Sequence, residues 1–418
     1  MSINEGQTIQ YTVTTTNTAD GTVLYWKTTG NVHLDQIANS NGTMTVVNNR
    51  ATFNVTTLVN HITDGNNIIG ISLSTGSLTG PAVVNTANPI LINDTSLSPA
   101  PYSINYLVVG GGGSAGFAGC VSSAGGGGAG GVLSGSTILS GGVYSITVGA
   151  GAAGSTVGGD PSTPGNNGTN SIIYNNCTSS NVAVAFGGGF GAGGSYNRGP
   201  WISTGNPGGS GGGGGAQGAS ACTANNSSYG PLSPPAYVVG GAGYNYPGPT
   251  QQGYPGGNGK VVRYNWCVPG PGMAAFAGGG GGAGAAGYSS TPSRSGAGGN
   301  GYTWPYTANT YGGGGAGGGG YYCGATISGG TGGGGPSGPF SPTYYTNTGS
   351  PGVQNTGGGS GAGSAGCNRP SGGSGIVILA VPVAGYPGSA PGATVTCAPP
   401  SYPGVKLITY TTSGTYTA

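Results

Sequence analysis

Over residues 3–95 apolar and polar side chains alternate with a period of two. Ile9-Gln10-Tyr11-Thr12-Val13, Val23-Leu24-Tyr25-Trp26, Thr43-Met44-Thr45-Val46-Val47, Ala51-Thr52-Phe53-Asn54-Val55 and Ile68-Ile69-Gly70-Ile71-Ser72-Leu73 each read as a half-buried strand. Turn residues part them, at Asp20-Gly21, Asn41-Gly42, Asn48-Asn49 and Asp64-Gly65-Asn66-Asn67. With Ile90-Leu91-Ile92-Asn93-Asp94 as a last strand, about seven short strands at this spacing predict an antiparallel β-sandwich.

Beyond residue 103 the pattern changes. Apolar stretches such as Ile104-Asn105-Tyr106-Leu107-Val108-Val109, Val143-Tyr144-Ser145-Ile146-Thr147-Val148 and Val182-Ala183-Val184-Ala185-Phe186 run straight into glycine. The order is reversed at Gly375-Ile376-Val377-Ile378-Leu379. Between these stretches lie uninterrupted glycine runs at 110–113, 125–128, 187–189, 211–215, 278–282, 312–315, 317–320, 332–335 and 357–359. Consecutive glycines exclude collagen, which needs Gly only at every third place, and they weaken both helix and strand. An extended three-fold helix suits them: it makes no internal hydrogen bonds, so each N–H and C=O must find a partner outside its own run. Neighbouring runs without Cβ atoms can supply those partners from several sides. The expectation is a β-framed lattice of polyglycine II helices, all-β in class and essentially without α-helix. A disordered linker is the alternative that composition favours, with Gly 100 and Pro 29 in 418 residues. Loops rich in Tyr, Trp and Asn argue for order.

The chain divides into a sandwich at 1–97, a linker at 98–103, the glycine-rich domain at 104–382, and a Pro-rich connector with a lone C-terminal strand at 383–418. Only 3% of residues are charged. Residues 1–100 hold Lys27 and Arg50 against Glu5, Asp20, Asp35, Asp64 and Asp94; the rest holds Arg198, Lys260, Arg263, Arg294, Arg369 and Lys406 against Asp160 alone. Such sparse charge excludes a nucleic-acid footprint and leaves a faint preference for anionic partners. No apolar stretch approaches the ~20 residues of a membrane span, so no membrane insertion is expected. No basic-then-apolar leader opens the chain, and a protein made in the cytoplasm but built like an extracellular one fits release by lysis, as for virion parts.

Catalysis finds little material here. Glycosidic cleavage usually needs two carboxylates within about 5–9.5 Å, and the glycine-rich part has one acid. Both histidines, His33 and His61, lie in the first domain, which excludes a Ser-His-Asp triad farther on. No glycine run is followed by the Lys-Ser/Thr of a phosphate loop. Seven cysteines without a C-x-x-C pair read as buried thiols or a few disulfides rather than zinc ligands. The chain is therefore not expected to be an enzyme.

Two resemblances bear on function. Asn4-Glu5-Gly6, Tyr11-Thr12-Val13-Thr14-Thr15, Asp20-Gly21-Thr22, Thr63-Asp64-Gly65-Asn66-Asn67 and Ile92-Asn93-Asp94 resemble a Calx-beta-type module. That family binds calcium through such acids. This chain keeps Glu5, Asp64 and Asp94 but has Asn66, Asn67 and Asn93 where the family is more acidic, so the resemblance implies at most a weak calcium site. Tyr106-Leu107-Val108-Val109-Gly110-Gly111-Gly112-Gly113, Tyr144-Ser145-Ile146-Thr147-Val148-Gly149-Ala150-Gly151 and Gly373-Ser374-Gly375-Ile376-Val377-Ile378 are similar to the glycine-rich domain of phage tail-fibre proteins. The plan also resembles the adhesins that cap some long tail fibres.

Three readings follow: a tail-fibre tip adhesin binding a bacterial surface receptor (an outer-membrane protein or glycan), a structural subunit of a fibre or filament assembling by strand addition, and an ice-binding protein. Other fibre subunits would be partners, and an oligomer is expected. Aromatic loops are the candidate surface, because Tyr and Trp give rigid contact area at low entropic cost. If each extended run reverses direction, counting places Tyr196, Arg198, Trp201, Tyr244, Tyr246, Tyr254, Tyr288, Arg294, Tyr321 and Tyr322 at the end of the lattice far from its entry. The same count puts loops 219–238, 260–276, 302–311 and 339–356 at the near end.

Overall fold

The computed structural model describes all residues except 1, 33–35, 60–64, 96–100, 156–163, 195–203, 217–251, 265–271, 320–325, 339–347, 367–368 and 387–388, with backbone alone at 85–88, 119–121, 261–264, 272–274, 364–366 and 385. Among the described residues there is no α-helix, and the class is all-β. The chain forms two compact units, Met1–Pro101 with Ser140–Gly142, and Tyr102–Leu139 with Val143–Ala418.

The first unit holds β1 (Ser2–Asn4), β2 (Thr8–Thr14), β3 (Val23–Gly30), β4 (Asn41–Thr45), β5 (Arg50–Thr56), β6 (Asn67–Thr75) and β7 (Ala82–Asn93). One sheet has the order β1-β7-β6-β3-β4, and β2 pairs with β5 in a second. Inward residues of both sheets share one core, in which Phe53 of β5 stacks on Tyr11 of β2 and Trp26 of β3, with centroids 5.1 and 4.5 Å apart. The Asn48-Asn49 turn takes left-handed φ values of 52° and 58°, the conformation that lets a two-residue loop follow the twist of its strands. Among the described residues the sandwich departs from a purely antiparallel one where β1 runs parallel to β7, with Asn4 opposite Asn93.

In the second unit the framing strands are β8 (Tyr102–Val109), β9 (Ala118–Ser123), β10 (Val132–Leu139), β11 (Val143–Thr147), β12 (Ser171–Asn175), β13 (Ser180–Ala185), β14 (Lys260–Tyr264), β15 (Gly272–Phe276), β16 (Tyr302–Thr303), β17 (Thr310–Tyr311), β18 (Ser364–Gly366), β19 (Ile376–Pro382), β20 (Thr394–Cys397), β21 (Val405–Tyr410) and β22 (Gly414–Thr417). Two sheets, β10-β8-β19-β21-β20 and β13-β12-β11-β22, pack face to face over a core of Ile104, Leu139, Tyr144, Ile173, Leu379, Tyr410 and their neighbours. The opposite face of the first sheet is covered by Trp304 and Tyr311 of the β16–β17 hairpin. With both faces covered, β19 is apolar without alternation.

The glycine runs continue out of these strands as polyglycine II helices. Run 125–131 shows the lattice most fully. Its amides donate in strict rotation: Gly125, Gly128 and Gly131 to Ala192, Gly189 and Phe186; Gly126 and Ala129 to Gly278 and Gly281; Gly127 and Gly130 to Ser360 and Gly357. Its carbonyls accept in the same rotation from runs 110–116, 210–213 and 315–318, for example from Gly113 to Gly128 at 2.8 Å. A period of three toward each neighbour is the three-fold screw of this helix. The six surrounding runs also bond to one another in a closed ring: 110–116 to 186–192, then to 209–215, 278–282, 312–318, 357–363 and back to 110–116. Run 125–131 is thus the axis of a hexagonal bundle, antiparallel to every neighbour except 278–282.

The C-terminal segment is not a lone strand. β21 lies between β19 and β20, and β22 adds to β11, so the pairing is within the chain. Tyr410 and Tyr416 are fully buried; the Tyr410 hydroxyl donates to Thr415 O at 2.7 Å, and the Tyr416 and Tyr102 hydroxyls pair at 2.7 Å. The Pro-rich connector contributes β20 as an edge strand. Because β21 is an interior strand of one sheet, β22 completes the other, and both bring buried tyrosines, removal of residues 405–418 should destabilise the unit rather than merely abolish assembly.

Two outcomes are expected. A Cβ at Gly280 would sit 2.5 Å from the carbonyl carbon of Gly127, and one at Gly213 would sit 2.8 Å from that of Gly278. Gly280→Ala should therefore cost about 1–3 kcal/mol, and Gly280→Val more, seen as a lowered melting temperature; unchanged melting would contradict a packed lattice. Burial, before any neighbouring charge, pushes the Tyr410 and Tyr416 hydroxyls well above the usual tyrosine range. Unfolded tyrosine titrates near ~10, so their stabilisation is complete below that pH and falls by about 1.4 kcal/mol per pH unit per tyrosine above it. Alkaline denaturation should begin above about pH 10, with a shallower slope in Tyr410→Phe/Tyr416→Phe; equal slopes would contradict this assignment.

Candidate functional site

The lattice has two chemically different ends. The base, where β8 enters, is closed by the two packed sheets, by the Trp304 hairpin and by tight turns at 207–208, 282–285, 331–333 and 353–357. Trp304 is 3% exposed, and its neighbour Tyr306 stacks on Tyr402 with centroids 4.2 Å apart. These rings cap the lattice. At the opposite end, the tip, Ala115, Ala118, Ala124 and Ala362 form one cluster of small buried side chains, and Phe117, Phe276 and Ile327 are buried there as well. Serines complete it, with Ser122 Oγ donating to Gly194 O at 2.8 Å and Ser123 Oγ to Ala275 O at 2.6 Å.

Hydrogen-bond registers give the direction of every described run, and they correct the counting of faces. Residues 204–207 descend and 209–215 rise again, parallel to 186–192, so one short run escapes a count based on glycine blocks. Residues 252–258 rise parallel to 209–215, which carries the β14–β15 hairpin to the tip rather than the near end. Further short reversals at 331–333 and 353–357 place the described flanks of loop 339–347 at the tip as well. Residues 288–295 and 302–311 stand where the count puts them, at tip and base.

Of the candidate residues, Tyr196, Arg198, Trp201, Tyr244, Tyr246, Tyr321 and Tyr322 lie outside the described residues. Arg294 is exposed in the tip turn, where Thr291 N–H donates to its carbonyl at 2.8 Å. Tyr288 is 59% exposed on the run leading to that turn. Tyr254 is not in a tip loop. It is half-buried near the base, donating its N–H to Gly282 O and accepting from Gly211 N–H, both at 3.0 Å.

A residue match over 93–382 decides the family: the model of the glycine-rich domain covers that span. The chain belongs to the glycine-rich domain family. No curated protein and no solved structure matches it. Within the glycine-rich domain, buried amide side chains stand in for backbone. Gln252, fully buried, accepts from Phe186 N–H at 2.9 Å and donates to Val184 O at 2.8 Å, filling a lattice position rather than a binding loop. Ser114 and Ser360 hydroxyls likewise accept from the amides of Asn166 and Ala115. Periodicity does not reveal such substitutes, because a single polar residue beside glycine reads as loop. Cys177 and Cys397 are exposed free thiols.

In the first unit Glu5 and Asp94 each follow the Asn4–Asn93 pair of parallel strands and so meet at one corner. Asp94 Oδ2 accepts from Gly65 N–H at 2.7 Å, and Asp94 N–H donates to Asn66 Oδ1 at 2.9 Å. Asp64 lies outside the described residues. Among those described, no three His, Cys, Asp or Glu gather at one point. No helix among them is long and apolar enough to cross a membrane.

Proposed function

We propose that the chain is a virion tail-fibre tip protein, an adhesin that holds a bacterial surface receptor with the loops at the tip of its lattice. The observation that carries this reading is the asymmetry of the glycine-rich domain. Two clusters of large apolar side chains seal the base, while the tip has one alanine cluster, a few larger buried side chains (Phe117, Phe276 and Ile327) and exposed turns. Exposed turns there, such as 291–294, can change in sequence without removing core, which is how a rigid scaffold serves recognition. Family membership supports the scaffold and is silent on the partner. No catalytic role is proposed.

Purified protein should bind intact cells of a susceptible bacterium in a panel of surfaces. Trp201→Ala and Tyr288→Ala should weaken that binding several-fold with melting unchanged, as for interface aromatics generally. Binding that survives both changes but is lost in Tyr306→Ala at the base would overturn the reading.

A structural fibre subunit is the second reading. The strand from 405 onward is committed within the chain, so it is not the donor. The observation favouring this reading is β20, an edge strand exposed along its whole length. Filaments formed by the purified protein, and lost on introducing Val395→Pro, would favour it.

A weak calcium site at the Glu5–Asp94 corner belongs with the Calx-beta resemblance. Millimolar calcium should then raise the melting temperature of the first unit, and Asp94→Asn should remove that rise. An identical melt in calcium and in chelator would contradict it.

A further inference from the structure

The cations of the second unit are sorted by end, a placement that the order of residues along the chain does not disclose. Six cations face one acid in this unit, Asp160. Among those whose backbone is described, Lys260 opens β14 at the tip, Arg263 follows in the same hairpin, Arg294 closes the neighbouring tip turn, and Arg369 pairs with Ser155 where another run ends. Only Lys406 stands at the base, its ammonium 4.6 Å above the Tyr386 ring. The hairpins bearing Lys260 and Arg294 are lattice neighbours, since Ser290 N–H donates to Asn258 O at 2.8 Å. Arg369 Nη1 donates to Pro164 O, which fixes its head at the same end.

We infer that the tip recognises a polyanionic surface polysaccharide, one bearing uronate or phosphate groups. This deepens the adhesin reading and rests on it. In a protein with 3% charged residues, the cations of Lys260, Arg294 and Arg369 on one end form a field with little opposing charge. Spread around the rim of the lattice, they suit a repeating anion better than a single compact one. Arginine adds bidentate contacts to carboxylate or phosphate. Each contact at an exposed surface contributes modestly, so affinity would come from many weak contacts along one polymer.

The test measures binding of the full chain to three immobilised polymers: polygalacturonate, a phosphomannan and neutral dextran. Binding to either anionic polymer, absent on dextran and falling as salt rises from 50 to 500 mM, is the expected result; which of the two binds identifies the anion. Lys260→Gln/Arg294→Gln should weaken it about three- to ten-fold at low salt, whereas Lys406→Gln, which removes the same charge from the base, should leave it unchanged. Equal binding to dextran, no binding to either anionic polymer, or an equal loss in Lys406→Gln would overturn the inference. Cell binding that persists in the double variant and ignores salt would also overturn it, while leaving the adhesin reading in place.

Discussion

Everything in the larger unit depends on where the backbone amides of its glycine runs find partners. A polyglycine II helix offers a donor and an acceptor every 120° and satisfies none of them itself. The solution here is six neighbours around run 125–131, each bonded also to the next. Individual hydrogen bonds contribute only about 0.5–1.5 kcal/mol net, but leaving one buried amide unpaired costs about 1–3. The lattice is therefore cooperative: displacing one run strands donors on several others. The same geometry excludes Cβ atoms from most interior positions, so glycine is required by close approach on several sides and not by unusual φ.

That requirement creates a deficit which the base makes good. Glycine buries almost no apolar surface, and a lattice alone would lack the main driving force of folding. Strands entering and leaving the runs carry it instead: β8, β10, β19 and β21 bring Val, Ile, Leu and Tyr into two cores at one end. Tyr410 and Tyr416, at the end of the chain, are among the largest fully buried side chains. The tip carries less of it, in Phe117, Phe276, Ile327 and an alanine cluster, and holds the turns that bear Lys260 and Arg294.

Much of this was legible in the residues. The alternation of 9–13, 23–26 and 51–55 marks β2, β3 and β5, and Asn48-Asn49 marks the hairpin between β4 and β5. The abrupt change from Val108-Val109 to Gly110 marks where sheet becomes lattice. Pairing was less accessible. Nothing local in Thr409-Tyr410-Thr411 says that β21 inserts between β19 and β20, since strand partners are chosen by tertiary contacts. Short reversals such as 204–207 have no glycine block to announce them, and missing one inverts the loops that follow until a second miss restores the count. Counting therefore assigns Tyr254 to a far loop, whereas its backbone is a lattice rung. Counting places Arg294 at the tip because two missed reversals cancel before residue 288.

The hexagonal pairing makes the account directly measurable. Through-hydrogen-bond scalar couplings, recorded by NMR on the isotope-labelled chain, correlate each amide nitrogen with the carbonyl carbon it donates to. The account predicts that three successive amides point to three distant segments: Gly126 to Gly278, Gly127 to Ser360 and Gly128 to Gly189. Those amides should also exchange with solvent as slowly as the core of β19. Correlations from 126, 127 and 128 to a single partner strand, or fast exchange throughout 125–131, would contradict it.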